Sequence, residues 1–320
     1  MRTFEDKPAV REAVPLILGL VGPSSSGKTF SALRLGTGIQ SVVGGDIGVI
    51  DTESKRALHY ADKFKFRHLP FGAPFSPADY LAAFEHFVRK GVKTIIVDSM
   101  SHEWEGPGGV LEMHDEEFKR MGSRNAVKML AWGKPKAEHR RMVNSFLQLP
   151  AHFIFCFRAK EKLKIEKGKD PVPLGWMPIG SGELIYEMAA KCLLPPGAQG
   201  VPDWNPKEVG SREWVKRPGW AESILPEGKP LDEATGAALA TWAAGDTKTQ
   251  ATPPKATTPT TGTEEGPLDP LDYDACSSDA EFDALEKKRK AQWSMFSAKD
   301  KVALKEAVDR AKARLMEVAG

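Results

Sequence analysis

Short apolar runs separated by amphipathic or polar stretches recur along the first 244 residues. Each run holds five or six mostly apolar residues, which is the length of a buried β-strand. Strands that alternate with helices pair in a parallel sheet with helices on both faces. The pattern therefore predicts an α/β fold with a mostly parallel, twisted sheet flanked by helices. The predicted strands are residues 16–21, 47–51, 66–71, 94–98, 152–157 and 190–194.

One of the connecting helices is marked clearly at its start. Ser76 suits the N-cap, Pro77 the first helical position, and Asp79 completes a capping box. An apolar stripe at helical spacing follows, formed by Tyr80, Leu81, Phe84, Phe87 and Val88. This stripe predicts a helix that packs on the core.

The pattern changes abruptly after residue 244. Thr, Pro, Gly and Lys dominate residues 245–270, and apolar residues nearly disappear. A segment of this composition cannot bury enough apolar surface to fold, so we predict a disordered linker. A charged helical pattern returns over residues 271–320. The predicted organisation is a globular domain over 1–244, the linker, and a short helical C-terminal tail.

Composition narrows the classes of protein only slightly. The chain has 320 residues, 41% of them hydrophobic, and a net charge of +2. Any nucleic-acid site must therefore be a local basic patch. Three widely spaced cysteines give neither a disulfide framework nor zinc-ligand spacing. No apolar run is long enough for a membrane span and the start resembles no signal peptide, so we expect a cytoplasmic protein without membrane contact.

The most specific chemistry lies directly after the first predicted strand. The pattern G-x-x-x-x-G-K-[ST] is matched without a mismatch by Gly22, Pro23, Ser24, Ser25, Ser26, Gly27, Lys28 and Thr29. Such a loop between strand and helix cradles phosphates with its backbone N–H groups. Lys28 is expected to reach the β- and γ-phosphates, Thr29 to ligate Mg²⁺, and Phe30 to complete the nucleotide contacts. The alternative, a glycine-serine turn with an incidental lysine, does not explain the flanking strand and helix. The pattern predicts ATP and Mg²⁺ as ligands.

Two carboxylates are placed to complete this site. The run 94–98 ends in Asp98, the form of a Walker B motif, whose carboxylate holds the Mg²⁺ shell beside Thr29. The strand after the first helix ends in 51–53, and strand C-termini gather at the ligand-binding edge of a parallel sheet. Glu53 is therefore the candidate general base for an attacking water. A loop acid or a contact to the ribose is the alternative role for Glu53.

Taken in order, these segments resemble the RecA-like recombination ATPases. Within that group they resemble compact phage proteins, nucleotide-binding AAA proteins that act as single-strand annealing ATPases. The resemblance rests on the phosphate loop, on 50–53, on Tyr60, on 96–99 and on 180–186. It implies a RecA-like P-loop fold, an adenine-stacking Tyr60, single-stranded DNA as partner, and activity in annealing or recombination.

Two departures from the family pattern change what the resemblance implies. The glutamine that senses the γ-phosphate is missing, and we expect Arg158 or Lys160 to take this role, including across a subunit boundary in a homo-oligomer. No N-terminal polymerisation helix is recognisable before residue 15. The implied activity is therefore annealing, or loading together with a single-strand DNA-binding protein, rather than full strand exchange.

A basic stretch follows the strand that carries Arg158. Its candidate DNA-binding residues are Lys162, Lys164, Lys167, Lys169 and Trp176. Lysines neutralise phosphates and an indole stacks on a base, so this stretch suits single-stranded nucleic acid. The alternative is a solvated β-hairpin with Trp176 packed at its base. A glycine-rich, non-basic segment at 104–109 is a second candidate loop.

Two other functions are compatible with the phosphate loop. One is a nucleotide-dependent assembly or loader ATPase that acts on a protein partner. The other is a small-molecule kinase, for which the lysine-rich loop and Glu53 fit less well. The first interpretation, an ATPase with Lys28, Glu53, Asp98, Arg158 and Lys160 as its catalytic residues, accounts for more of the chain.

Overall fold

A computed structural model describes residues 6, 9, 11–165, 170–225, 227–245, 273, 279–293 and 298–318. The described residues fall into two compact units, one within Met1–Gln250 and one within Ala251–Gly320. The predicted linker, apart from Gly245, lies outside the described residues.

The first unit is built on a sheet of seven strands in the part of the chain that the structure describes. Six strands lie side by side in the order β3-β2-β4-β5-β1-β7, and every neighbouring pair among them is parallel. The seventh, β6, pairs antiparallel with β5. The bounds are β1 Ile17–Gly22, β2 Asp46–Asp51, β3 Arg67–Pro70, β4 Val92–Asp98, β5 His152–Lys164, β6 Val172–Pro178 and β7 Ala190–Leu193. The predicted α/β fold with a mostly parallel sheet is confirmed.

Helices cover both faces of this sheet. Their bounds are α1 Lys28–Val43, α2 Pro77–Arg89, α3 Ser101–Glu105, α4 Val110–Arg120, α5 Gly133–Phe146, α6 Gly182–Tyr186, α7 Val209–Trp214 and α8 Glu233–Ala243. Helices α1 and α8 pack on one face, and α2 and α5 pack on the other. The start of α2 is as predicted, because Ser76 Oγ accepts a hydrogen bond from the Asp79 N–H at 3.2 Å.

The central strand β5 shows why continuous apolar runs in the sequence predicted the buried strands. Phe153, Phe155 and Phe157 enter the core beneath α2 and α5, whereas Ile154 and Cys156 enter the core beneath α1. Successive side chains of a strand point to opposite faces, so a strand covered on both sides is apolar at every position. Such a strand gives a continuous apolar run in the sequence.

Beyond its buried half, β5 continues well past the predicted end at residue 157. Residues 159–164 of β5 pair with β6 to form a projecting β-hairpin, which we call the hairpin arm. The side chains of Glu161, Lys162, Leu163 and Lys164 are exposed. Residues 160–164 of the arm bury no side chain. The continuous apolar run that marks the buried half of β5 therefore stops before them, and the sequence pattern did not predict this part of the strand.

The second unit is helical in the described residues, as predicted for the tail. Helix α9 spans Asp279–Gln292 and helix α10 spans Ala298–Val318. Tyr273 packs in a small hydrophobic core with Leu304, Ala307, Val308 and Ala311. The Tyr273 hydroxyl donates a hydrogen bond to Glu286 Oε1 at 2.9 Å. Among the residues described in both units, we find no helix with an apolar stretch long enough to cross a bilayer.

Candidate nucleotide-binding site

The phosphate loop joins β1 to α1 in the conformation that its glycines permit. Gly22 ends β1, and a Cβ at that position would lie 2.5 Å from Ser26 Oγ. Gly27 precedes the first residue of α1 with φ +94°, a left-handed conformation that side chains rarely adopt. The loop therefore curls with its backbone exposed, and the N-terminus of α1 supplies free N–H groups and a positive dipole end. This is a site for an anion.

Lys28, the first residue of α1, lies folded over the loop. Its ammonium donates hydrogen bonds to the carbonyl oxygens of Gly22 at 2.9 Å and Pro23 at 2.7 Å. Burial lowers the pKa of this ammonium from its ordinary value, and the nearby Asp98 and Glu53 carboxylates oppose the shift. The lysine is thus held within the anion site by main-chain acceptors.

Thr29 at the start of α1 meets Asp98 at the end of β4, although β4 is not a neighbour of β1, the strand before the phosphate loop. Strand β5 lies between β1 and β4, yet Thr29 Oγ1 donates to Asp98 Oδ2 at 2.5 Å. Burial raises the pKa of Asp98, while the hydrogen bond from Thr29 opposes that shift. A hydroxyl and a carboxylate oxygen side by side are the hard oxygen ligands that Mg²⁺ prefers. The pair fits the predicted metal site.

Glu53 is held by two arginines. Arg158 Nε and Nη2 each lie 2.7 Å from Glu53 Oε1, and Arg56 Nη1 lies 3.1 Å from Oε2. Burial by itself would raise the pKa of Glu53, but the hydrogen bond and charge of Arg158 outweigh it, so the pKa lies below its ordinary value. Glu53 is therefore a carboxylate at neutral pH.

Asp51 positions the turn that carries Glu53, a role that sequence reasoning missed. Its Oδ1 accepts the Glu53 N–H at 2.8 Å, and its Oδ2 accepts the Ala57 N–H at 3.0 Å. His68 Nε2 also lies 3.0 Å from Oδ2. Through these contacts one buried carboxylate fixes both the turn at Glu53 and the 3₁₀ turn Arg56–Tyr60 that follows. The only sequence signal was an acid at the C-terminal end of a strand.

The phosphate loop, Glu53 and Asp98 line one cleft of about 510 Å³. Its volume lies within the range of small-molecule sites. Predicted residues that line it are Pro23, Ser24, Ser25, Gly27, Lys28, Thr29, Phe30, Glu53, Tyr60, Asp98, Arg158 and Lys160. Lining residues that the sequence did not single out are Arg56, His59, Ala159 and Ile179, and Glu105 also lines the cleft, from the segment predicted as the second candidate loop. Gly22 and Ser26 of the predicted set form the back of the loop rather than the lining.

An aromatic wall closes one side of the cleft. The ring centroids of Phe30 and Tyr60 are 5.6 Å apart, and those of Phe30 and Phe64 are 5.4 Å apart. The wall offers an apolar surface in the same cleft as the phosphate loop, since Phe30 directly follows Thr29. It suits a planar base, in keeping with the predicted role of Tyr60.

Arg158 and Lys160 both line the cleft of their own chain. Lys160 Nζ forms an ion pair with Glu105 Oε2 at 2.9 Å. The two cations are two residues apart on β5, whose neighbours β1 and β4 end at Gly22 and Asp98. The role of Arg158 or Lys160 as γ-phosphate sensor stays a prediction.

The predicted DNA-binding residues are only partly brought together. Lys162 and Lys164 are exposed on the hairpin arm, and their spacing places them on one face with Lys160. Trp176 pairs with Glu161 and so belongs to the opposite face, where its half-buried ring packs against the core beneath α2 and α5. Lys167 and Lys169 lie outside the described residues. The backbone adopts the β-hairpin that the sequence left as the alternative.

The second candidate loop is a packed turn. The Phe75 N–H donates to the Pro107 carbonyl at 2.8 Å, and the Gly108 N–H donates to Glu112. The rings of Trp104 and Trp132 stack with centroids 6.1 Å apart. These contacts fix the backbone of the segment, in which Gly106 and Gly109 are buried and Pro107 is exposed.

The fold and the site define a P-loop NTPase. Residues 15–188, more than half of the chain, match the sequence model of a family described as AAA domain. The chain therefore belongs to this family of nucleotide-binding and nucleotide-hydrolysing proteins. No curated protein matches the chain.

Proposed function

We propose that this protein is a RecA-like ATPase that binds single-stranded DNA and promotes annealing or recombination, as in the phage proteins it resembles. One observation carries the proposal: β5 runs without interruption from the nucleotide cleft into the hairpin arm. Arg158 and Lys160 line the cleft, and Lys162 and Lys164 lie farther along the same strand. In this proposal β5 couples the nucleotide cleft to the arm, whose pairing with β6 shifts register between Lys162 and Leu163.

The chemistry assigned to the cleft is hydrolysis of ATP. The backbone N–H groups of the phosphate loop and the Lys28 ammonium bind the phosphates. Glu53 accepts a proton from water while the water oxygen bonds to the γ-phosphorus and the bond from this phosphorus to the β–γ bridging oxygen breaks. Thr29 and Asp98 would hold Mg²⁺, which supplies positive charge against the phosphate oxygens.

Arg158 has a second part in this chemistry. It holds Glu53 Oε1 with two donors, so it fixes the direction of the carboxylate. Its guanidinium also lines the cleft, where it suits the charge that develops on the transferred phosphoryl group. We assign the sensing of the γ-phosphate to Arg158, with Lys160 and its partner Glu105 beside it.

The DNA partner is assigned from charge. Alternate residues of a strand lie about 6.6 Å apart on one face, so Lys160, Lys162 and Lys164 form a row of cations. Residues 119–141 add a second basic region with eight Lys or Arg residues and a single acid, Glu138. Most of these cations are exposed on α5 and on the segment before it. Two such surfaces on a chain of net charge +2 support a polyanionic partner.

The test is fluorescence anisotropy with a labelled oligo-dT at two salt concentrations, with and without ATP. We expect binding that requires ATP and weakens steeply as salt rises. Binding to DNA that is absent under all four conditions would overturn the DNA assignment and favour the loader that acts on a protein. Phosphate release in the same samples reports separately on the ATPase.

Two partner assignments belong to the same proposal. A homo-oligomer and a complex with a single-strand DNA-binding protein are both implied by the resemblance. Light scattering on a size-exclusion column, with and without ATP and oligo-dT, measures the first. Co-elution with a purified single-strand binding protein measures the second.

A further inference from the structure

The back of the phosphate loop packs against main chain that lies beyond the AAA-domain match. Strand β7 is followed by residues 194–200, which we call the bracing segment. Its first N–H, of Leu194, donates to the Val21 carbonyl at 2.7 Å, and its last, of Gly200, donates to the Ser26 carbonyl at 3.4 Å. The two bonds fall on either side of the loop, at the end of β1 and just before α1.

Gly200 is the tightest point of this contact. A Cβ on Gly27 would lie 2.8 Å from the Gly200 nitrogen, so the two glycines touch backbone to backbone. Gly200 itself has φ +86°, and a Cβ on it would lie 2.7 Å from Ser31 Oγ in the first turns of α1. The positive φ therefore favours glycine at 200, and a Cβ there would also have to displace the Ser31 hydroxyl. Gly197 in the same segment has φ +73° but nothing within 4 Å of its Cβ position.

The bracing segment is held from its other side by α8. The Gly200 carbonyl accepts the Leu231 N–H at 2.9 Å, and Asp232 caps α8 by accepting the Thr235 N–H at 2.7 Å. Glu233 then forms an ion pair with Arg34 of α1 at 2.6 Å. Main chain at Gly200 is thus fixed between the phosphate loop and a helix that is itself tied to α1.

We propose that Gly200 is a positioning residue for the nucleotide. Its main chain holds the 26–27 peptide in place, and so directs the loop's N–H groups toward the phosphates. The inference rests on the proposed nucleotide binding and extends it, because the bracing segment, which lies beyond the AAA-domain match, becomes part of the site. Phosphate binding by backbone N–H groups depends on the direction in which these groups point. A small displacement of this peptide therefore weakens the binding.

The test compares Gly200→Ala with Gly197→Ala in the full chain. Both changes place a Cβ at positive φ, but only the first meets a neighbour. We expect the dissociation constant for a fluorescent ATP analogue to rise about tenfold in Gly200→Ala, or about 1.4 kcal/mol. In Gly197→Ala it should stay within about twofold of the wild-type value, since the space there is open. Thermal melting of both variants shows that each is folded at the temperature of the titration.

A third variant distinguishes a displaced phosphate loop from a nonspecific loss of stability. Adding Ser31→Ala to Gly200→Ala removes the hydroxyl that the new Cβ meets, and we expect part of the affinity to return. Equal affinity in wild type and Gly200→Ala would overturn this inference while leaving nucleotide binding intact. A wild-type protein without affinity for the analogue would instead overturn the proposed function.

Hydrogen exchange on the unaltered protein keeps the inference testable even where Gly200→Ala does not fold. The analogue should slow exchange of the amides of residues 197–201 as well as those of residues 22 and 24–30, because the two segments open together. Protection confined to residues 22–30 would show that the bracing segment moves independently, and would overturn the assignment of Gly200.

Discussion

The nucleotide cleft and the hairpin arm share strand β5, yet their charged side chains differ in burial. In the cleft, Lys28, Glu53 and Asp98 are wholly or partly buried and each has a defined hydrogen-bond partner. On the arm, Lys162 and Lys164 are exposed. Buried groups with fixed partners are preorganised, and this is what stabilises developing charge in a reaction.

The two regions therefore support different kinds of functional inference. Geometry in the cleft specifies a chemistry, because distances and hydrogen-bond directions are determined by the protein. The arm offers charge on a projecting backbone, which suits binding that depends on salt and tolerates many sequences. Loss of function should therefore be steep for cleft variants and graded for arm variants.

The largest effect is expected for Lys28→Ala. This change removes the cation of the anion site and both of its bonds to the loop carbonyls. We expect ATP turnover to fall at least ~100-fold, the order seen when one transition-state donor is lost. Steady-state phosphate release measures it. Turnover within a few fold of wild type would remove Lys28 from the site.

Glu53→Gln should separate binding from chemistry. The amide keeps the size of the side chain but cannot accept a proton from water, so hydrolysis should fall by about 10²- to 10⁴-fold. Affinity for ATP should change little. Single-turnover hydrolysis and equilibrium titration measure the two quantities. Unchanged hydrolysis would leave Glu53 with the other role considered for it, a structural or ribose-side acid.

The double change Lys162→Glu and Lys164→Glu tests the arm. We expect weaker binding to oligo-dT with basal ATPase intact, since neither residue lines the cleft. The salt slope should fall by about 1.4, because each phosphate contact on a single strand contributes about 0.7.

Lys90→Glu with Lys93→Glu is the matched control for the arm. It reverses the same number of charges at the start of β4, the end of the sheet opposite the cleft. Both positions are exposed. Equal losses of DNA affinity in the two double variants would show that net charge alone, and not the arm, determines binding.

The smallest effect is a shift in the pH profile. Arg158 lowers the pKa of Glu53, so the carboxylate stays ionised and active to lower pH than an ordinary glutamate. In Arg158→Gln that pKa rises, and the acid limb of kcat should move to higher pH. Arg56→Gln should move it less, because Arg56 contributes less to the shift. Normalised pH profiles of the three proteins give the comparison, and identical acid limbs would exclude Glu53 as the titrating group.

The amino-acid sequence by itself determined the buried parallel strands and the anion site. Strands buried on both faces are apolar throughout, and the phosphate loop is contiguous, so both leave local patterns. The meeting of Thr29 with Asp98 was predictable as well, because parallel strands bring their C-terminal ends to one edge.

Only the tertiary structure decided which distant residues became partners. The pairing of Arg158 with Glu53 and the packing of Gly200 against the phosphate loop each join segments far apart in the chain. They depend on β5 lying between β1 and β4 and on the return of the chain after β7. Such contacts follow from strand order and close approach of main chain, which no local periodicity encodes.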